Sequence, residues 1–182
     1  MESVSIRGVT NSTRVKVDTL SESLRMIDVF HSEVHEGKGF GISHFFSAVA
    51  DKTTAQMLVR AHGVTPHIEI SVGAGGDAYV LFMQGLTVSG TGTTKTAPVN
   101  RNRISSNTSG VSVFHTPVVT TYSGTTLISN YIPGGARNSA GGGSMGERNE
   151  WVLKNGTTYV IAVRNIAGST KNIAIQTSWY EL

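Results

Sequence analysis

The chain has 182 residues, a length typical of a single all-β domain. It contains no cysteine, which excludes a disulfide framework, a thiolate metal site and a cysteine nucleophile. Charged residues make up 15% of the chain against a usual share of about a quarter, so Ser, Thr, Asn and Gly must cover most of the surface.

The net charge is +3, and it is unevenly distributed. Residues 78–146 contain no acidic residue, and their cations are Lys95, Arg101, Arg103 and Arg137. These cations make a weak field, and no basic cluster alternates with aromatic residues. Nucleic-acid binding is therefore not expected.

Neither a membrane span nor a signal peptide is predicted. No run reaches the roughly eighteen apolar residues of a membrane helix. Met1-Glu2-Ser3 lacks the basic start and the apolar stretch of a signal peptide. We therefore expect a protein that folds in the cytoplasm of the cell that makes it and does not bind a membrane.

Residues 1–23 are polar, with too few apolar side chains to build a core of their own. They predict an extended N-terminal arm that becomes ordered against its own subunit or a neighbour. Residues 24–34 carry apolar side chains on both faces of an extended chain, which predicts a long strand buried on both sides.

Short apolar segments bounded by turn residues predict most of the remaining strands. These strands are predicted over 40–49, 55–61, 67–72, 79–83, 86–88, 110–116 and 125–131. Two long polar loops, 89–109 and 133–146, interrupt them. A loop of such length in a compact domain is either functional or disordered.

The C-terminal part has the clearest strand pattern. Asn155-Gly156 is typical of a type I′ turn and lies between two β-rich runs, 149–154 and 157–165, which predicts a β-hairpin. Ile173, Ile175 and Trp179 then alternate with polar residues, which predicts a last strand with one buried face. Because the chain ends on this strand, we expect its end to be held in a sheet.

The sequence predicts about eight to ten short strands and no segment with a convincing helical period. This pattern is typical of an antiparallel β-sandwich, a jelly roll or a barrel. No internal repeat is present, which argues against a propeller. We predict an all-β fold with residues 1–23 as the arm and residues 24–182 as one β-sandwich domain.

His31-x-Glu33-x-His35 is the main candidate for a metal site. On the predicted strand, the three side chains share one face with a spacing of about 6.6–7 Å. That spacing is too wide for neighbours to bind one ion unless a second strand adds a ligand such as His44. A polar sheet face or a subunit interface is the favoured interpretation, and no metal site is predicted.

No catalytic or cofactor-binding residue is predicted either. The loop 90–96 lacks the glycine and the following helix of a phosphate loop, loop 134–146 has no downstream helix, and no Gly-x-Ser-x-Gly elbow occurs. Glycoside hydrolysis needs two acids in one cleft, and nothing in the spacing of the acids singles out a pair. The candidates are Asp28, Glu33, Glu36, Glu69 and Asp77. The chain is therefore not expected to be an enzyme.

Four segments, 28–37, 99–103, 149–155 and 175–181, resemble a group of small virion proteins of tailed bacteriophages. These are described as head decoration, cement or head-fibre proteins, and the resemblance extends over residues 14–182. It implies a jelly-roll subunit that assembles as a homotrimer on the outer surface of the capsid, binds the major capsid protein and reinforces the shell. The N-terminal arm would grip the shell. The resemblance assigns no individual binding residue.

Three functions compete at this point. The leading hypothesis is a non-enzymatic virion protein that decorates a phage capsid. The alternative is a head-fibre, tail-fibre or adhesion component whose β-sandwich binds a cell-surface glycan. A glycan-active enzyme is the third, and it would require a single Asp or Glu whose substitution abolishes turnover.

Overall fold

The computed structural model describes residues 29–94, 97–134, 141–144 and 150–182. The predicted N-terminal arm, residues 1–23, lies outside these ranges. The described chain forms two antiparallel sheets that pack face to face, preceded by one short helix. The predicted all-β antiparallel sandwich is therefore confirmed.

Sheet 1 has a long strand at its centre. Its strands are β1 (Gly39–Val49), β3 (Pro66–Ala74), β7 (Val99–Asn100), β11 (Gly141–Ser144), β12 (Trp151–Val152) and β14 (Lys171–Glu181). β14 pairs with β1 on one side and β3 on the other. β7 adds to the far edge of β1, and both β11 and β12 pair with the far edge of β3.

Sheet 2 and a two-stranded ribbon complete the described strands. The strands of sheet 2 are β2 (Thr54–Ala61), β4 (Ala78–Gln84), β6 (Thr93–Thr94), β8 (Val111–His115), β10 (Thr125–Ile132) and β13 (Thr158–Asn165). Their order across the sheet is β10-β4-β13-β2-β8-β6. The ribbon pairs β5 (Thr87–Gly90) with β9 (Val118–Thr121).

The connectivity of the two sheets is that of a jelly roll. Sheet 1 contains the order β11-β3-β14-β1, and sheet 2 contains the order β10-β4-β13-β2. In chain order, these eight strands are distributed between the two sheets as in a double Greek key. The excursion between β4 and β10 supplies β5 to β9, which widen the sandwich and cover part of it.

The core lies between the sheets because each long strand turns alternate side chains inward. On β14, Ile173, Ile175 and Trp179 are all buried, as the alternation predicted. A second apolar cluster lies on the opposite side of sheet 2, where Leu58 and Val160 are fully buried. Val88 of β5 and Val119 of β9 pack on it, so the ribbon covers part of the outer face of sheet 2.

Residues 29–34 are not part of a strand, which makes this part of the predicted strand 24–34 wrong. They belong to helix α1 (Val29–His35), which contains no buried residue. Phe30 and Val34 lie one turn apart, so a helix turns both toward the sheet. The helix ends in a Schellman motif, in which Gly37 (φ 75°) donates to the Val34 carbonyl at 3.0 Å and Lys38 donates to Glu33 at 2.9 Å. Residues 24–28 lie outside the described ranges.

The predicted hairpin at Asn155-Gly156 is also wrong: the chain does turn there, but the turn is not of type I′, because Gly156 has a positive φ and Asn155 does not. Thr157 donates to the Lys154 carbonyl at 3.3 Å, and Gly156 has a φ of 72°. The strand before the turn, β12, pairs with β3 in sheet 1, whereas the strand after it, β13, belongs to sheet 2. The turn therefore joins the two sheets, and Leu153 just before it is buried in the core between them.

The two long polar loops are partly structured. The described part of 89–109 contains β6 and β7, and β11 occupies 141–144 within the predicted loop 133–146. The prediction of an entirely irregular stretch is therefore wrong at these strands. Within the described ranges, no helix is long and apolar enough to cross a membrane.

A buried carboxylate fixes the end of β14. Glu181 accepts hydrogen bonds from the Trp179 indole (Nε1–Oε1 2.9 Å), the Ser109 hydroxyl (2.5 Å) and the Gly110 backbone (3.0 Å). It thereby ties the segment before β8 to sheet 1. The expectation that the end of this strand is held in a sheet is confirmed.

We expect Glu181→Ala to lower the free energy of unfolding by about 2–3 kcal/mol, because it leaves buried donors without an acceptor. Urea denaturation followed by tryptophan fluorescence measures this loss. Glu69→Ala is the matched control, since Glu69 is an exposed carboxylate on the same sheet. Equal stability of the two variants would contradict a structural role for Glu181.

Candidate functional site

The outer face of sheet 1 is built largely from small side chains. The side chains that alternate with the buried ones form cross-strand rows on this face. One row contains Gly41, Ser178 and Glu69, and the next contains Ser43, Gln176 and Ser71. Within these two rows, Glu69 and Gln176 are the long side chains, and the other members are small.

An open groove of about 710 Å³ runs over this face. Its floor is sheet 1 and its wall is the segment at β7. It is lined by Gly41, Ile42, Ser43, Glu69, Ala97, Val99, Arg101, Gln176 and Ser178. Arg101 and Glu69 are the charged groups in this lining, and the remainder is small, polar or aliphatic.

Phe45 is the large apolar side chain that stands out from this face. It is 59% exposed, and it lies opposite Ala174 in the pairing of β1 with β14. Ala174 in turn lies opposite Gly73 of β3. An exposed ring among such small neighbours has the character of an anchor residue at a protein interface.

Helix α1 packs on one end of the same face. The Phe30 ring contacts the Tyr180 ring edge to face, with centroids 5.8 Å apart. The Arg101 guanidinium lies 4.7 Å from the Phe30 centroid, which adds a cation–π contact. Tyr180 is buried as a result, although it lies on the outer side of its strand.

The segment around β7 holds the end of the helix through asparagine side chains. The buried Asn100 donates to the Gly37 carbonyl at 2.8 Å, and Asn102 donates to the His35 carbonyl at 2.9 Å. Lys38 forms ion pairs with Glu33 (3.2 Å) and Glu36 (2.8 Å). The hydrogen bonds to Glu36 and Glu33 raise the pKa of Lys38, so this ammonium remains charged at neutral pH.

Glu150 and His67 complete the contacts around Tyr180. The Tyr180 hydroxyl donates to Glu150 Oε1 at 2.8 Å, and the same oxygen is paired with His67 Nδ1. The rings of His67 and Tyr180 stack with centroids 4.6 Å apart. We call Phe30, His67, Arg101, Glu150 and Tyr180 the Tyr180 cluster.

The Tyr180 cluster brings together four segments of the chain, 28–37, 99–103, 149–155 and 175–181. Phe30 comes from 28–37, Arg101 from 99–103, Glu150 from 149–155 and Tyr180 from 175–181. These segments are far apart in the sequence and meet at one end of the sheet 1 outer face. The contacts among them are stacking, ion-pair and hydrogen-bond contacts that shape a surface.

Of the acidic candidates in the described chain, Glu33 and Glu36 are brought together by a shared cation. Glu33 and Glu36 both bind Lys38, and Glu69 lies on the sheet 1 outer face. Asp77 accepts a hydrogen bond from the Gly134 backbone. Asp28 lies outside the described residues.

The predicted histidine motif is split by the helix. His31 and His35 lie one turn apart and contact each other, whereas Glu33 points to Lys38. His44 does not join them, because its ring stacks on His115 with centroids 4.0 Å apart. The prediction that His31, Glu33 and His35 share one face is therefore wrong.

A second groove, of about 420 Å³, lies on the part of sheet 2 that the ribbon leaves open. Its floor includes Leu81 and Ala162, and its lining includes the half-exposed rings of Tyr79 and Tyr122. The full lining is Lys52, Thr54, Tyr79, Leu81, Tyr122, Ser129, Ala162 and Arg164. Gln56 donates to the Tyr122 hydroxyl at 2.5 Å, which fixes that ring at the edge of the groove.

Tyr131 extends this aromatic surface beside the groove. Its ring lies 5.6 Å from that of Tyr79, its partner across β10 and β4. A hydrogen bond to Asp77 raises the pKa of Tyr131, so its phenol remains protonated at neutral pH. The sequence pattern alone did not single out these tyrosines. The sequence signal that could have found them is an aromatic residue at a strand position whose side chain points outward. Tyr79 is an example, because the next residue, Val80, is buried.

Comparison with protein-family models found no match for this chain, and searches of curated proteins and of solved structures found none either.

Proposed function

We propose that this chain is a non-enzymatic virion protein that binds the outer surface of a phage capsid as a homotrimer and stabilises the shell. The observation that carries the proposal is the Tyr180 cluster. It joins the four segments that resemble phage decoration proteins, and it lies at one end of the sheet 1 outer face. A shared surface built by those segments is consistent with a shared binding role.

The composition of the sheet 1 outer face suits a rigid partner. Small side chains such as Ser43, Gly73 and Ala174 lose little conformational entropy on docking. They also let a partner approach the backbone closely, as in a tightly packed protein interface. Phe45 supplies the apolar anchor that such a face needs for affinity.

The place where the described fold begins supports the same partner. The described fold begins at Val29, next to Phe30 of the Tyr180 cluster. An arm that leaves from this point starts beside the face that we propose docks on the capsid. Three arms in a trimer would add avidity to a weak single contact.

The arrangement of titratable groups supports a binding function over catalysis. In the described chain, Glu150 is engaged by His67 and Tyr180, and Glu181 is buried with three donors. Each carboxylate holds parts of the fold together. A hydrolase needs two such groups that face one substrate.

We expect the full chain to bind mature capsids stripped of their external proteins, and Phe45→Ala to weaken this binding by about tenfold or more. Co-sedimentation at increasing protein concentration measures saturation and affinity. Tyr79→Ala is the matched control, because it also removes a half-exposed aromatic ring from a strand, but on the other sheet.

Deletion of residues 1–23 in the same assay tests the arm. Loss of binding by a variant that keeps its unfolding midpoint would place the arm in the contact. No binding by the full chain to mature or unexpanded shells would contradict the proposal.

The proposed trimer is tested by light scattering after gel filtration. We expect a mass of about three times the 19.3 kDa of one chain. The reason is that a symmetric trimer matches the symmetry of a capsid shell. A monomer at micromolar concentration would refute the trimer, without bearing on whether one chain binds the shell.

A glycan-binding adhesion module is the second candidate, and the groove on sheet 2 favours it. The rings of Tyr79 and Tyr122 offer apolar faces with hydrogen-bonding edges. Leu81 and Ala162 make an apolar floor, while Arg164 and Lys52 add positive charge. Such a surface would suit a saccharide that carries an acidic group.

We expect Tyr79→Ala and Tyr122→Ala to abolish any binding of acidic saccharides on a glycan array, because the rings provide most of the apolar contact in the groove. Phe45→Ala is the control and should bind as the unmodified chain does. Binding that survives both tyrosine substitutions would remove the groove from the mechanism.

A further inference from the structure

Helix α1 brings two histidines close together, whereas the predicted strand would have kept them apart. On a strand, His31 and His35 would lie four residues apart along one face, which is too far for both to bind one ion. On the helix, they lie one turn apart, and their Nε2 atoms are 3.0 Å from each other. The ring centroids are 4.6 Å apart, with the planes inclined at 70°.

We infer that His31 and His35 form a bidentate site for a divalent transition-metal ion. Two imidazole nitrogens bound to zinc at about 2.0–2.1 Å lie about 3.3 Å apart in a tetrahedral arrangement. The present separation is the length of a hydrogen bond between the two rings, so an ion would replace that bond and both rings would turn their Nε2 atoms toward it. Imidazole ligands favour Zn²⁺, Ni²⁺ and Cu²⁺ over Mg²⁺ and Ca²⁺.

The surroundings of the helix hold this pair in place before an ion binds. Phe30 is packed between Tyr180 and Arg101, and Asn102 binds the carbonyl of His35 itself. The helix backbone is therefore attached to sheet 1 at both ends. A ligand pair on such a support loses less entropy on binding than one on a free segment.

Among the described residues, the site contributes two protein ligands. Both histidines are exposed, so water can fill the remaining coordination positions. In the described ranges, no group of three or more His, Asp or Glu side chains could hold an ion. His67 is paired with Glu150, and His44 and His115 stack with nearly parallel rings at 13°.

The test is isothermal titration of the untagged full chain with ZnCl₂ and with NiCl₂ near pH 7.5. We expect saturable binding of one ion per chain. His31→Ala and His35→Ala should each weaken it by at least tenfold, since one imidazole remains.

His62→Ala is the matched control, since it removes an exposed histidine away from α1. It should bind the ion as the unmodified chain does. Alanine has the highest helix propensity, so the helix variants should keep their fold, and unchanged unfolding midpoints without metal check this. Binding that His31→Ala and His35→Ala leave intact, or no binding by the unmodified chain, would overturn the assignment.

Discussion

Burial of one face of β14 is the constraint on which the rest of the molecule depends. Ile173, Ile175 and Trp179 are almost fully inaccessible, and each such side chain stabilises the fold by about 1.5–3 kcal/mol relative to exposure. Because β14 lies between β1 and β3, its register fixes both neighbours. A slip of one residue would expose the Trp179 ring and bury Ser178. The side chains that alternate with the buried ones therefore form the outer face.

The two outer faces of the sandwich differ in how they are covered. The outer face of sheet 2 carries a second apolar cluster, and Val88 and Val119 of the ribbon shield it. The outer face of sheet 1 has small side chains and the exposed Phe45. In the described chain, the ribbon covers part of one outer face and α1 covers one end of the other, which gives the protein two distinct surfaces. This asymmetry is what a protein needs if one side docks on a rigid partner and the other remains accessible.

The chain has few charged side chains, and asparagine side chains donate hydrogen bonds to backbone carbonyls that lack a partner in a sheet. Asn165 is almost fully buried and donates to the carbonyls of Val49 and Ser169, both at 2.8 Å. Asn100 similarly binds Gly37 and Asn107. Buried carbonyls in irregular segments need such partners, because no ladder supplies them. The Asn100 contact with Gly37 holds the segment that ends α1 against β7.

The sequence by itself determined the strands whose side chains alternate, because one-sided burial leaves a period of two in the chain. β3 and β14 are predicted on that ground, and the all-β sandwich follows from them. The sequence did not determine α1, since seven residues are too few to show a helical period and the docking of Phe30 on Tyr180 decides their conformation. Asn155-Gly156 specified a turn, but the strands on its two sides pair in different sheets. β12 pairs with β3 in sheet 1, and β13 pairs with β2 in sheet 2. Tertiary structure likewise decided the Tyr180 cluster, the groove on sheet 2 and the pair of His31 and His35. Their members are brought together by strand pairing and helix docking, which local residue patterns do not encode.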